Sequence, residues 1–164
     1  MKLAALLISI VAQAAPNTVE VSPRLVTSGQ PDAQELRTLK ARGFEAVIYL
    51  APPTAHDAVA DEPRIVGGQG LVFINLPMRF DDPTDADFDA FAALLEGLGE
   101  RKVLVHCQIN LRASSMVFLY RAIVLKDDPR LAYEAVHKVW VPDDVWKRFI
   151  ERQLARHKID FQPL

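Results

Sequence analysis

The chain has 164 residues, a formal net charge of −2 and hydrophobic residues at half of its positions. That length suits one domain, and a near-neutral chain without a basic run excludes nucleic acid or an anionic membrane surface as its main partner. A single cysteine excludes an internal disulfide framework.

Met1-Lys2 forms a short positive start, and Leu3 to Ala12 is apolar apart from Ser9. Ala12-Gln13-Ala14 has the small-x-small pattern of a cleavage site. The apolar run is shorter than the roughly 20 residues a bilayer span requires. Residues 1–15 are therefore expected to be a secretory signal peptide and 16–164 a single domain, periplasmic or secreted, with no stable membrane span once the leader is removed. The competing reading is a buried N-terminal strand or helix.

Thr18 to Val21 and Arg24 to Ser28 read as short strands separated by Ser22-Pro23. Ser28-Gly29-Gln30-Pro31 is a turn signal. Asp32 to Arg42 carries Leu36 and Leu39 among polar residues, acidic early and basic late, and predicts an amphipathic helix closed by Gly43. Phe44 to Leu50 is almost continuously apolar, as in a strand covered on both faces. Residues 54–70 are weakly patterned, with Asp61-Glu62-Pro63 as a possible start of a short helix. Leu71 to Leu76 predicts a further strand.

A charged loop follows, Pro77 to Pro83, and Thr84 caps a helix bearing Phe88, Phe91, Leu95 and Leu98 at helical spacing. Gly99 ends that helix. Val103-Leu104-Val105 is the last strand, followed by a tight loop and an apolar helix reaching Lys126. Helices over Arg130 to Trp140 and Asp143 to Lys158 complete the chain. This alternation predicts an α/β fold with a mostly parallel central sheet flanked by helices. Ligands of such sheets bind beyond the carboxyl ends of the strands, which is where Cys107 falls.

The strand–loop–helix junction around Cys107 has the parts of an anion site. Backbone amides of a loop entering a helix attract oxyanions, and a guanidinium adds always-charged, bidentate donors. A positive environment also lowers a thiol's pKa from about 8.5 toward roughly 4 to 7, producing a thiolate nucleophile. Cys107, the amides of Gln108, Ile109, Asn110, Leu111 and Arg112, and the Arg112 guanidinium fit those roles. His106 either positions the loop or is a plain strand residue. Asp81 and Asp82, on the loop after the preceding strand, are candidates to protonate a leaving group; each is otherwise a solvated or turn residue. Ser114 and Ser115 either assist hydrolysis of an intermediate or act as helix caps. The competing reading of Cys107 itself is a small buried hydrophobe.

These strings resemble the cysteine-based protein tyrosine and dual-specificity phosphatase superfamily, and within it a bacterial branch related to the beta-lactamase-hydrolase-like phosphatases. The carrying residues are Thr27-Ser28-Gly29-Gln30-Pro31, the loop from Asn75-Leu76-Pro77 to Pro83-Thr84, Val105-His106-Cys107 through Arg112-Ala113-Ser114, and the Trp140 to Trp146 region. The resemblance implies a phosphatase-like three-layer fold and hydrolysis of phosphate esters through a phosphocysteine. It implies neither a metal nor another cofactor. Cys107 matches the family's nucleophile and Arg112 its phosphate-binding arginine.

The match departs from the usual pattern in the loop after Cys107 and just beyond Arg112. Four residues separate Cys107 from Arg112 where the superfamily usually has five, often with a central glycine. Asn110 is the residue best able to take a left-handed turn in the glycine's place. Ala113 stands where Ser or Thr usually follows the arginine, with Ser114 one step later. The alternatives to an active phosphatase are therefore a pseudophosphatase that binds phosphate-like anions or a partner, and sulfur transfer of the rhodanese kind.

Overall fold

A computed structural model of the chain describes residues 14–163. Most of the expected leader, residues 1–13, lies outside the described residues. The strands are β1 (Val19–Glu20), β2 (Leu25–Ser28), β3 (Ala46–Tyr49), β4 (Val72–Asn75) and β5 (Val103–His106). The helices are α1 (Ala33–Leu36), α2 (Glu62–Gly67), α3 (Asp85–Gly97), α4 (Leu111–Ile123), α5 (Pro129–His137) and α6 (Asp144–Arg156).

The strands form one sheet in the order β1-β2-β5-β3-β4. β2, β5, β3 and β4 run parallel, and β1 pairs antiparallel with β2. β5 is the central strand, and Ser28 and Tyr49 flank His106 at its carboxyl end. Continuous apolar sequence is what a strand covered on both faces requires, and β3 and β5 are buried at every position.

Alternate side chains feed two apolar clusters on opposite faces of the sheet. Val26, Val47 and Leu104 pack with Leu36, Leu39 and Val66 beneath α1 and α2. Ile48, Val103 and Val105 pack with Phe91, Met116, Phe118, Trp146 and Phe149 from α3, α4 and α6. The result is three layers, helix–sheet–helix. α4 has eleven of its thirteen residues buried, so it is the central helix of its layer and the N-terminus that meets Cys107 is firmly held.

One local reading is corrected. The helix expected over Asp32 to Arg42 is regular only from Ala33 to Leu36. Thr38 donates both its amide and its hydroxyl to the Glu35 carbonyl (2.9 and 2.7 Å), which tightens the chain into turns that run on to Gly43. The short helix expected to start near Asp61-Glu62-Pro63 forms as α2. The predicted Thr84 cap forms a reciprocal box with Asp87, whose carboxylate accepts from the Thr84 amide at 2.8 Å.

Candidate active site

The site is built on the end of β5. The Cys107 amide donates to the Ser28 carbonyl at 3.2 Å, so the thiol leaves the sheet still bonded to β2. The loop then turns through Asn110, whose φ of 74° is left-handed and makes it the N-cap of α4. Asparagine tolerates that conformation better than most residues, and its side chain adds a reason to be here. Asn110 Nδ2 donates to Asn17 O at 2.6 Å and to Thr27 Oγ1 at 3.1 Å.

The loop carbonyls are pulled outward. Gln108 O accepts from the Gln30 amide at 2.9 Å, and Ile109 O accepts from Asn17 Nδ2 at 3.0 Å. The amides of Gln108, Ile109, Leu111 and Arg112 find no acceptor among the described residues. Gly29 makes this fit possible. A Cβ at that position would stand 2.7 Å from Gln108 O and 3.0 Å from Pro16 Cβ, so the Thr27 to Pro31 string is a platform on which the loop lies.

Arg112 is buried at the start of α4. Its Nη2 donates to Gln108 Oε1 at 3.4 Å, its guanidinium carbon lies 5.5 Å from the centre of the Phe80 ring, and its buried Nε has no acceptor among the described residues. Cys107, Gln108, Ile109, Leu111 and Arg112 line one cavity of about 350 Å³ with Phe80, His56 and Asp57. That volume suits a small-molecule site. Phe80 is held from behind, since Trp146 Nε1 donates to its carbonyl at 2.8 Å and the rings of Trp140 and Trp146 pack at a tilt against its own. The two tryptophans thus shape the cavity wall without lining it.

His106 faces the opposite side of the sheet. Its ring stacks on Tyr49 with centroids 4.7 Å apart, and its Nε2 lies 2.7 Å from Glu62 Oε1. Neither atom has another hydrogen-bond partner among the described residues, so the contact is a buried polar pair closed on itself. Glu62 Oε2 accepts from Gln30 Nε2 at 2.9 Å. Ser114 is fully buried, and its hydroxyl donates to the Leu111 carbonyl.

Asp81 and Asp82 are exposed and line a separate hollow with Arg148 and Arg152. Arg79 grips Asp81 through two hydrogen bonds of 3.0 and 2.8 Å and holds its carboxyl below the ordinary carboxylate range. The acidic residue that shares the cavity with Cys107 is Asp57, on the loop between β3 and α2. The sequence reading did not single it out. Its loop has no periodicity, and the only local cue is the pair His56-Asp57 just beyond the carboxyl end of an apolar strand.

A parallel sheet with a thiol at the end of its central strand, and an arginine at the start of the next helix, is the fold of the cysteine-based phosphatases. Residues 9–139 match the family described as "DSP-PTPase phosphatase fused to NAD+ Kinase", and the chain belongs to that family. It is 30% identical over 114 residues to a beta-lactamase hydrolase-like protein of Xylella fastidiosa. That match takes in 64% of this chain and 25% of the relative, so the chain spans about a quarter of the length of the curated relatives it matches. A DUF442 protein of Shewanella putrefaciens superposes with a TM-score of 0.79 at 26% identity, over 87% of this chain and 94% of the other. TpbA of P. aeruginosa, solved also as a variant in complex with pTyr, shares the fold, with a TM-score of 0.64 at 24% identity over 86% of both chains.

Proposed function

We propose that the chain is a phosphoric monoester hydrolase that works through a cysteinyl-phosphate intermediate. The observation that carries this reading is the shared cavity: the Cys107 thiol, four loop residues whose amides lack acceptors among the described residues, and a buried guanidinium nitrogen without a partner among them. A buried cationic donor left unpaired is costly unless a ligand takes it up, and a phosphoryl dianion has the charge and oxygen count to do so. The amides and Arg112 would hold the three non-bridging oxygens. The Cys107 thiolate would attack phosphorus in line with the leaving oxygen. The apolar wall of Phe80, Ile109 and Leu111 favours an aryl group on that oxygen, as in a phosphotyrosine side chain or a small aryl phosphate.

The test is turnover of p-nitrophenyl phosphate by the purified protein and its loss in Cys107→Ser. Full activity in that variant overturns the mechanism. The second reading, a phosphate-binding pseudophosphatase, draws on the near-complete burial of Cys107 and on the four-residue loop. Phosphate binding by calorimetry without turnover of any aryl phosphate would establish it. The N-terminal pattern of charge, apolar run and small residues supports export to the periplasm; immunodetection confined to the cytoplasmic fraction would overturn that.

A further inference from the structure

The geometry points to Asp57, rather than Asp81 or Asp82, as the group that protonates the leaving oxygen. This rests on the phosphatase reading above. A proton donor must reach the bond that breaks, and Asp57 is the carboxylic acid that lines the cavity with Cys107 and Arg112. Asp81 and Asp82 open onto a different hollow, and Asp81 is committed to Arg79. Asp57 forms no ion pair and no hydrogen bond among the described residues, and its Oδ1 is shielded from solvent with no donor facing it. Loop placement agrees: β3 neighbours β5, so the loop after β3 leaves the sheet beside the thiol.

The titratable and charged groups around Asp57 come from several elements. His56 adjoins it on its own loop, Tyr49 stands on β3, Glu62 on α2, Cys107 after β5 and Arg112 on α4. The Tyr49 hydroxyl is pushed up to about 12, first by burial and then by the Asp57 charge.

The chemistry balances as follows. The thiolate electron pair forms the S–P bond while the P–O bond to the leaving group breaks. The departing oxygen takes the proton of the Asp57 carboxyl and leaves as the alcohol or phenol. The Asp57 carboxylate then accepts a proton from water as that oxygen bonds to phosphorus. The S–P bond breaks with its electrons returning to sulfur. Inorganic phosphate leaves, and both Cys107 and Asp57 are restored.

Asp57→Asn, Asp57→Glu, Asp81→Asn and Asp82→Asn would be compared on phenyl phosphate and on dinitrophenyl phosphate across pH. A general acid contributes about a hundredfold or more, and it does so where the leaving group needs a proton. Asp57→Asn should lower kcat on phenyl phosphate about a hundredfold, leave dinitrophenyl phosphate within a few-fold, and abolish the alkaline fall of the rate profile. Asp57→Glu should recover part of that fall. Retention of the alkaline limb by Asp57→Asn, or its loss in Asp81→Asn or Asp82→Asn, overturns the assignment. Absence of turnover in the unmodified protein overturns the phosphatase reading and this one with it, so the two failures are told apart by the unmodified protein.

Discussion

His106 Nε2 lies 2.7 Å from Glu62 Oε1, and both side chains are closed to solvent. This contact joins the last residue of the central strand to the first residue of α2, with Gln30 on the far carboxylate oxygen. Removing one partner leaves the other a buried polar group without a partner, at a cost of about 1 to 3 kcal/mol. Glu62→Ala should therefore lose stability on that scale in urea denaturation. Glu62→Gln, which keeps the shape and an oxygen, should lose less. Equal losses would mean that the charge contributes nothing.

Gly29 should not tolerate a side chain. A Cβ there would press on Gln108 O at 2.7 Å and on two atoms of Pro16 at 3.0 Å. Backbone on both sides leaves little room to yield, and overpacking of this kind costs about 1 to 3 kcal/mol. Gly29→Ala is expected to weaken phosphate or vanadate binding more than tenfold, because the atom it displaces belongs to the loop. Titration calorimetry on the variant measures this, and unchanged affinity would refute it.

Asn110 combines a left-handed backbone with two side-chain hydrogen bonds. A left-handed residue with a Cβ carries a penalty of about 1 to 2 kcal/mol, which glycine escapes. Asn110→Gly should therefore lose the bonds to Asn17 and Thr27 but shed that penalty, whereas Asn110→Ala should lose the same bonds and keep it. Thermal melts should rank the unmodified protein above Gly, and Gly above Ala. The reverse order of the two variants would show that Asn110 is not held in this conformation.

Tyr49 should titrate late. Its hydroxyl is raised to about 12 by burial first, then by the charges of Asp57 and Glu62, with Arg112 opposing. A folded pKa above the unfolded value of about 10 supplies stability that is fully present below pH 10 and is lost as pH rises through about 12. The phenolate absorbance of the folded protein should show a component near pH 12 that vanishes in Tyr49→Phe. Asp57→Asn should move that component to lower pH. A profile with all three tyrosines ionising together near 10 would contradict it.

Much of the fold was legible before any coordinates. Near-continuous apolar strands alternating with amphipathic segments imply a parallel sheet between helical layers, because such strands must be covered on both faces. Ala46–Tyr49 and Val103–His106 are buried at every position, as their composition requires. Thr84 as a helix cap, and Asn110 as the left-handed residue of the loop, were readable because caps and positive φ depend on local chemistry. The helix after Asp32 was overread, since periodicity carries no record of Thr38 competing for the Glu35 carbonyl.

The chain's own sequence determined the strand, the thiol at its end, the arginine that opens the next helix and the four-residue interval between them. All are local, and each is set by side-chain type and spacing. What faces the thiol was decided only by the tertiary structure. Phe80 lines the cavity of Cys107, and Trp146 holds its carbonyl from a helix 66 positions away. Asp57 lines the same cavity because β3 packs against β5, and Glu62 finds His106 because α2 covers the other face of the same strand. Pairings across such separations depend on strand order and layer packing, which no window of sequence encodes.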